Sequence, residues 1–229
     1  MPYTRSDLIP LLLFAIALVV IELTGLDDSL MGYFYDPGLA EFPLRNAWLT
    51  EALFHTQGRR LMFLLGLAII MITIASLVMP VLKASRNRWL FVLSTIVVST
   101  ISISLLKKGT GISCAWDLAQ YGGDHLPNTF PNILDGANGA CWPAGHASGP
   151  FSLIAIYFGF RDRTPAVARV CLLLAMLLGT IFGLSQTARG AHYLSHTVWT
   201  LLIIWSLNLG TLRLFTFSVY PSKLWVECE

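Results

Sequence analysis

Long apolar segments alternate with short polar connections along most of the chain. Six such segments can be distinguished, at about residues 8–26, 61–82, 89–106, 147–160, 170–184 and 193–212. A helix needs roughly 17 to 25 residues to cross the apolar core of a bilayer, and the second, third and sixth segments meet that length without a charge. The first contains Glu22 near its end, and the fourth is short unless it starts at the turn around Pro143. The pattern predicts an all-α fold, an integral membrane bundle of six transmembrane helices formed by a single domain over residues 1–229.

The composition supports a membrane protein. Hydrophobic residues make up 55% of the chain and charged residues only 12%, against roughly 25% charged in an ordinary soluble domain. Fifteen Lys and Arg against thirteen Asp and Glu leave a formal net charge of +2, which is too small to indicate a nucleic-acid partner. The expected surroundings are therefore a lipid bilayer, and nothing in the sequence indicates an oligomeric state.

Basic residues mark two of the short connections. Lys83, Arg86 and Arg88 lie between the second and third segments, and Arg161 and Arg163 lie between the fourth and fifth. Because short loops rich in Lys and Arg remain in the cytoplasm, we expect these connections and both termini there. The opposite side then carries external loops at about residues 27–60, 107–146 and 185–192.

The expected external side contains a further predicted helix and several acidic residues. Residues 44–60, which include Trp48, predict an interfacial amphipathic helix. Asp124 and Asp135 are among the acidic residues of the long loop and fit an external face.

The polar residues with chemical potential fall into three clusters on that same side. The first is Lys107-Lys108 at the end of the third segment, followed by Cys114-Ala115-Trp116-Asp117. The second is the run Cys141-Trp142-Pro143-Ala144-Gly145-His146, which leads into the fourth segment and resembles a helix start able to bind phosphate. Snorkelling lysines and an ordinary Pro/Gly turn are the plain structural interpretations of these two clusters.

The third cluster runs from Ser185 to His196 and is harder to explain by packing. Arg189, His192 and His196 are spaced three, four and seven residues apart, so on a helix they share one face. A cation and two imidazoles on one face of a membrane helix are costly, which indicates a functional site. A zinc pair is the alternative, but no Asp or Glu lies within the cluster to complete such a site.

Taken together, the clusters resemble the motifs of the type 2 phosphatidic acid phosphatase superfamily. That superfamily has Lys, six residues, Arg-Pro; then Pro-Ser-Gly-His; then Ser-Arg, five residues, His, three residues, Asp. Here the motifs read Lys107, six residues, Cys114-Ala115; then Pro143-Ala144-Gly145-His146; then Ser185-Gln186, five residues, His192, three residues, His196. Order and spacing are kept. Cys114, Ala144, Gln186 and His196 replace the usual Arg, Ser, Arg and Asp, and a guanidinium returns at Arg189.

The resemblance implies a metal-independent lipid phosphatase that uses no cofactor. It implies that His192 is the nucleophile, that His146 is the acid for the leaving group, and that His196 takes the place of the orienting carboxylate. Lys107 and Arg189 are expected to hold the phosphate with the backbone around Ala144, Gly145 and His146, and Lys108, Trp116, Asp117 and Gln186 are further candidate substrate-binding residues.

The expected substrate is a lipid phosphate or an isoprenoid pyrophosphate, and the expected location is a bacterial inner membrane with the site facing the periplasm. A lipid-to-lipid phosphotransferase remains an alternative, as does a non-catalytic protein that binds a phospholipid head group or a metal. Cys114 and Cys141 are expected to form a disulfide, because both lie in the same external loop while Cys171 lies within the fifth segment and Cys228 near the cytoplasmic C-terminus.

Overall fold

The computed structural model describes residues 4–126 and 139–219, with side chains up to residue 215; Asp135 and Cys228 lie outside the described residues. All regular secondary structure in these ranges is helical. The α-helices are α1 Ile9–Thr24, α2 Leu26–Phe34, α3 Gly58–Val78, α4 Arg86–Thr110, α5 Gly145–Ser152, α6 Ile154–Phe160, α7 Pro165–Ala188 and α8 Leu194–Val219. A π-helical segment, Trp48–Gln57, precedes α3.

Five helical stretches in the described residues are long and apolar enough to cross a membrane. They are Arg5–Thr24, Trp48–Val78, Pro80–Asp117, Pro165–Ala188 and Leu194–Phe215. The prediction of an all-helical fold is confirmed for the described residues, and the five stretches are consistent with a multi-pass membrane protein. The count of six spans stays a prediction.

The fourth predicted segment is not one continuous helix, because α5 ends at Ser152 and α6 begins at Ile154. Pro150 lacks the N–H that would continue the α-helical ladder, and Leu153 instead donates to the Pro150 carbonyl at 3.0 Å. The two short helices together follow α4 in the opposite direction, since α5 begins beside Lys107 and the Gly159 carbonyl accepts from Arg88.

The predicted interfacial helix over residues 44–60 is not a separate element. Helical structure begins only at Trp48, and the π-helical segment passes directly into α3 without a break. The predicted external loop of residues 27–60 also contains α2, so much of it is helical.

The core lies where α5 and α6 pack between α4, α7 and α8. Phe151 and Ile154 are fully buried there, together with Val92 of α4 and Ile204 of α8. A Cβ at Gly179 would overlap the Phe151 ring, so this glycine allows α7 to approach α5 closely.

Different contacts hold the connections at the two ends of the bundle. At one end Arg161 pairs with Asp7 at 2.9 Å and Arg88 pairs with Asp162 at 2.8 Å. At the other end a smaller apolar cluster joins α2 to the chain after α4, with Met31, Phe42, Ala115, Leu118 and Tyr121 buried in it. This second cluster covers the connection between α7 and α8, where most of the candidate site residues lie.

Candidate functional site

Lys107 lies in the last turn of α4 and is half-buried. The negative end of the helix dipole favours a cation at this position. Within the described residues, Lys107 has no carboxylate partner. A Cβ added at Gly145 would lie 3.3 Å from Lys107 Nζ, so the glycine at the start of α5 leaves the room that the ammonium group occupies.

The turn before α5 is fastened to the end of α4 by several bonds. Cys141 N donates to the Ile112 carbonyl at 2.8 Å, and Thr110 Oγ1 donates to the Trp142 carbonyl at 3.1 Å. The sulfur atoms of Cys114 and Cys141 lie at disulfide distance, with their Cα atoms 5.0 Å apart, as the sequence predicts. Ala144 is fully buried, and its N–H donates to the His196 carbonyl at 3.4 Å. These contacts join the first and second sequence clusters and attach both to α8.

The third cluster is not a single helix, so the expectation that Arg189, His192 and His196 share one helix face is wrong. The helix α7 ends at Ala188, and α8 begins at Leu194. Gly190 adopts a φ of 75° between them, which favours glycine because a Cβ is strained there. The Gln186 carbonyl accepts from Ala191 at 2.9 Å and from His192 at 3.4 Å, which fixes the turn that carries His192.

Three histidines converge at this end of the bundle. The His192 and His196 rings lie edge to face with centroids 5.9 Å apart, and His192 is close enough to Lys107 and His146 to interact with both electrostatically. His146 Nε2, His192 Nδ1 and His196 Nδ1 are all buried, and none has a hydrogen-bond partner among the described residues. Because buried polar atoms are nearly always paired, three unpaired ring nitrogens in one place indicate a site for a hydrogen-bonding ligand or water.

The charge state of His192 follows from its surroundings. Burial lowers the pKa of the imidazole well below its usual range, the positive charges of His196 and Lys107 lower it further, and a hydrogen bond with the Cys141 backbone acts in the opposite direction. The ring is therefore neutral at physiological pH, which leaves a lone pair on one nitrogen.

Arg189 is also near the histidines but is already engaged. Its Nε donates to the Arg45 carbonyl at 2.8 Å, one terminal nitrogen donates to Gln186 Oε1 at 3.3 Å, and the other is paired with Glu51. The sequence led us to expect a cation free to bind phosphate. The Arg189 guanidinium is instead buried and paired with Glu51.

Glu51 and His55 were missed as site residues from the sequence. They lie one turn apart on the π-helical segment, with His55 Nδ1 3.3 Å from Glu51 Oε1. The His55 ring stacks on His146 with centroids 4.1 Å apart. The i, i+4 spacing of a carboxylate and an imidazole is the sequence feature that could have indicated this pair. Only the tertiary fold, however, brings the pair beside His146 and Arg189.

The remaining predicted residues lie at the edge of the site. The Arg45 guanidinium carbon lies 4.2 Å from the centroid of the Trp116 ring, and the backbone N–H of Trp116 donates to the Gly190 carbonyl at 2.8 Å. Lys108 is exposed on α4, and the Asp117 carbonyl accepts from His125 N at 2.8 Å. Trp116 and Asp117 therefore help to build the turn around Gly190 and the loop beside it.

The arrangement favours an anion over a metal. Within the described part of the chain, no group of three or more His, Cys, Asp or Glu side chains is placed to hold a metal ion. Lys107, Arg189 and the neighbouring imidazoles supply donors, and Glu51 is the one carboxylate among the described residues that pairs with any of them. Comparisons of the chain with protein-family models, curated proteins and solved structures found no match.

Proposed function

We propose that this protein is a membrane phosphatase that hydrolyses a lipid phosphate or isoprenoid pyrophosphate through a phosphohistidine intermediate. The observation that carries the proposal is the convergence of His146, His192 and His196 beside Lys107. Among the described residues, each histidine has a buried ring nitrogen without a hydrogen-bond partner, and Lys107 has no carboxylate partner. The retained spacing of the three superfamily motifs supports the same assignment.

In this proposal, a neutral nitrogen of His192 attacks the phosphorus atom in line with the leaving oxygen. The N–P bond forms as the P–O bond breaks, and His146 donates its proton to the leaving oxygen. The dianionic substrate itself favours the imidazolium form of His146, because a nearby negative charge stabilises the protonated ring. Water, deprotonated by His146, then attacks the phosphohistidine and releases inorganic phosphate.

The phosphate oxygens need fixed positive charge that does not reorganise during the reaction. Lys107 supplies one cation, Arg189 supplies the other, and the backbone of Gly145 and His146 in the first turn of α5 adds N–H donors. His196 orients His192 from an edge-on position but brings no negative charge to stabilise an imidazolium. Lys108, Trp116, Asp117 and Gln186 have roles in shaping the site rather than in contacting the transferred phosphate.

The proposal places the protein in a bacterial inner membrane with six crossings, the fourth formed by α5 and α6 together. The basic connections at Lys83–Arg88 and Arg161–Arg163 then face the cytoplasm and the site faces the periplasm. A site at the end of an apolar bundle is reached by a lipid that diffuses within the bilayer, which favours a phosphate carried on a long apolar chain.

The proposal is tested by phosphate release from purified protein supplied with phosphatidate, phosphatidylglycerophosphate and undecaprenyl pyrophosphate in turn. We expect release from at least one of them, unchanged by a chelator, and a loss of at least about 100-fold in His192→Ala. His125→Ala is the matched control, because His125 lies at the same end of the molecule and bonds Ser113 Oγ at 2.8 Å outside the histidine cluster. Transfer of phosphate to a second lipid would assign the phosphotransferase alternative, and no turnover of any lipid phosphate would contradict the proposal.

A further inference from the structure

The Glu51 carboxylate lies between Arg189 and His55. One of its oxygens pairs with the Arg189 guanidinium, and the other lies 3.3 Å from His55 Nδ1. Arg189 is only 7% exposed at its side chain whereas Glu51 is 36% exposed, so the carboxylate can turn towards water while the guanidinium cannot.

The Glu51 carboxylate controls access to one terminal nitrogen of Arg189, because the other nitrogens are already bonded elsewhere. The Nε and one terminal nitrogen are engaged by the Arg45 carbonyl and Gln186 Oε1. Glu51 holds the second terminal nitrogen, so an incoming phosphate competes with this carboxylate for the charge of Arg189 and must displace it to bond that N–H.

We propose that Glu51 is a specificity-determining residue that reserves the Arg189 guanidinium for dianionic terminal phosphates and excludes phosphodiester head groups. This inference rests on the proposed function, because it assumes that the substrate phosphate binds at Arg189.

The selection follows from the charge that is exchanged. A phosphodiester carries one negative charge, so replacing the Glu51 carboxylate with it leaves the charge facing Arg189 unchanged. A terminal phosphate carries about −1.5 to −2 at neutral pH, so the same exchange adds negative charge next to the buried cation and is favourable. His55 lies on the other side of Glu51, with Nδ1 3.3 Å from Oε1, and is placed to bind the carboxylate once Arg189 releases it.

In a membrane, this selection by Glu51 would prevent abundant phospholipids from occupying the site. Phosphodiester head groups surround any bilayer protein at high local concentration, and an unguarded cation pair would bind them. A built-in carboxylate that only a dianion displaces keeps the site available for a scarce terminal phosphate.

The test compares binding of methyl phosphate and dimethyl phosphate, two soluble probes that differ in charge, to purified protein. Calorimetric titration is used for wild type, Glu51→Gln and the control Glu41→Gln, with thermal unfolding recorded for each. Glu41 is exposed at the same end of the molecule, and its side chain is outside the site. The change Glu51→Gln removes the charge and keeps the shape.

We expect wild type and Glu41→Gln to bind methyl phosphate at least about tenfold more tightly than dimethyl phosphate, a difference of about 1.4 kcal/mol. In Glu51→Gln we expect dimethyl phosphate to bind about tenfold more tightly than it does to wild type. A Glu51 with only a structural role would lower the unfolding temperature and leave the ratio of the two affinities unchanged, which would overturn the inference.

The wild-type arm alone also decides the question if Glu51→Gln fails to fold. Equal affinity of wild type for the two probes would overturn the inference, while phosphate release from lipid phosphates would leave the proposed function standing. Absence of both phosphate release and methyl phosphate binding would overturn the two together.

Discussion

The His192 side chain is 3% exposed, and burial lowers its pKa well below the usual range. Below the unfolded pKa of about 6.5 the unfolded chain therefore binds a proton at this residue that the folded protein does not. The stabilising contribution of the neutral ring is present above that pH and is lost as the pH falls towards the lowered folded value.

We therefore predict that wild type loses more thermal stability than His192→Gln when the pH is lowered from 8 to 5. The expected difference is at least about 2 °C in the unfolding midpoint, since about 1 kcal/mol corresponds to roughly 2–4 °C in a chain of this size. The measurement is thermal unfolding of both proteins in detergent at the two pH values. An equal loss in both proteins would show that His192 is not held neutral by burial.

At the level of single residues, the sequence predicted the members of the site better than their contacts. The motif spacing selected Lys107, His146 and His192, which the fold brings together. Glu51 and His55 were not predicted as site residues. Their contacts with Arg189 and His146 depend on how the π-helical segment packs against the end of α7, and no local sequence pattern indicates that packing.

At the level of elements, the connection between α7 and α8 positions His192, the proposed nucleophile. Gly190 has a φ of 75°, and a Cβ at this position would overlap the Phe42 ring. A side chain there costs about 1–2 kcal/mol in backbone strain, and overpacking against Phe42 costs about 1–3 kcal/mol more.

We predict that Gly190→Ala lowers the unfolding midpoint by several degrees and reduces activity, because the turn that carries His192 must shift. Gly32→Ala is the matched control, since Gly32 lies within α2 and a Cβ there meets nothing within 4 Å. The control is expected to be neutral or slightly stabilising. Equal midpoints for the two variants would show that the turn tolerates a side chain.

The elements also show where hydrophobic patterning is informative and where it is not. Apolar runs predicted the long helices α3, α4, α7 and α8, because uninterrupted apolar sequence has few other solutions in a membrane. The same runs did not reveal that α7 ends at Ala188. Spacing alone placed Arg189 on a helix with His192, whereas Gly190 with its positive φ ends the helix first.

At the scale of the whole molecule, the two basic connections lie side by side. Arg163 donates to the Ala84 carbonyl at 3.0 Å, and the histidine cluster lies at the opposite end of α4. Charge counting predicted that the basic connections share one side because both follow an even number of crossings. Which side faces the cytoplasm depends on the membrane and stays a prediction.

We predict that a cysteine at Asp124 reacts with an impermeant thiol reagent in intact spheroplasts, whereas one at Ala84 reacts only after permeabilisation. Both positions are exposed, Asp124 at the site end and Ala84 in the basic connection. The changes are made in a Cys171→Ser, Cys228→Ser background, so that no other unpaired thiol is present. Labelling of Ala84→Cys but not of Asp124→Cys in intact spheroplasts would contradict the predicted orientation and indicate the opposite one.

The central claim is that His192 carries the phosphate covalently during turnover. It is tested most directly by rapid quenching of the protein with a lipid phosphate labelled in the phosphoryl group, followed by identification of the labelled peptide. The account predicts label on the peptide that contains His192 in wild type and none in His192→Ala, which is also expected to be inactive. Label on another residue, or near-normal phosphate release from His192→Ala, would contradict it.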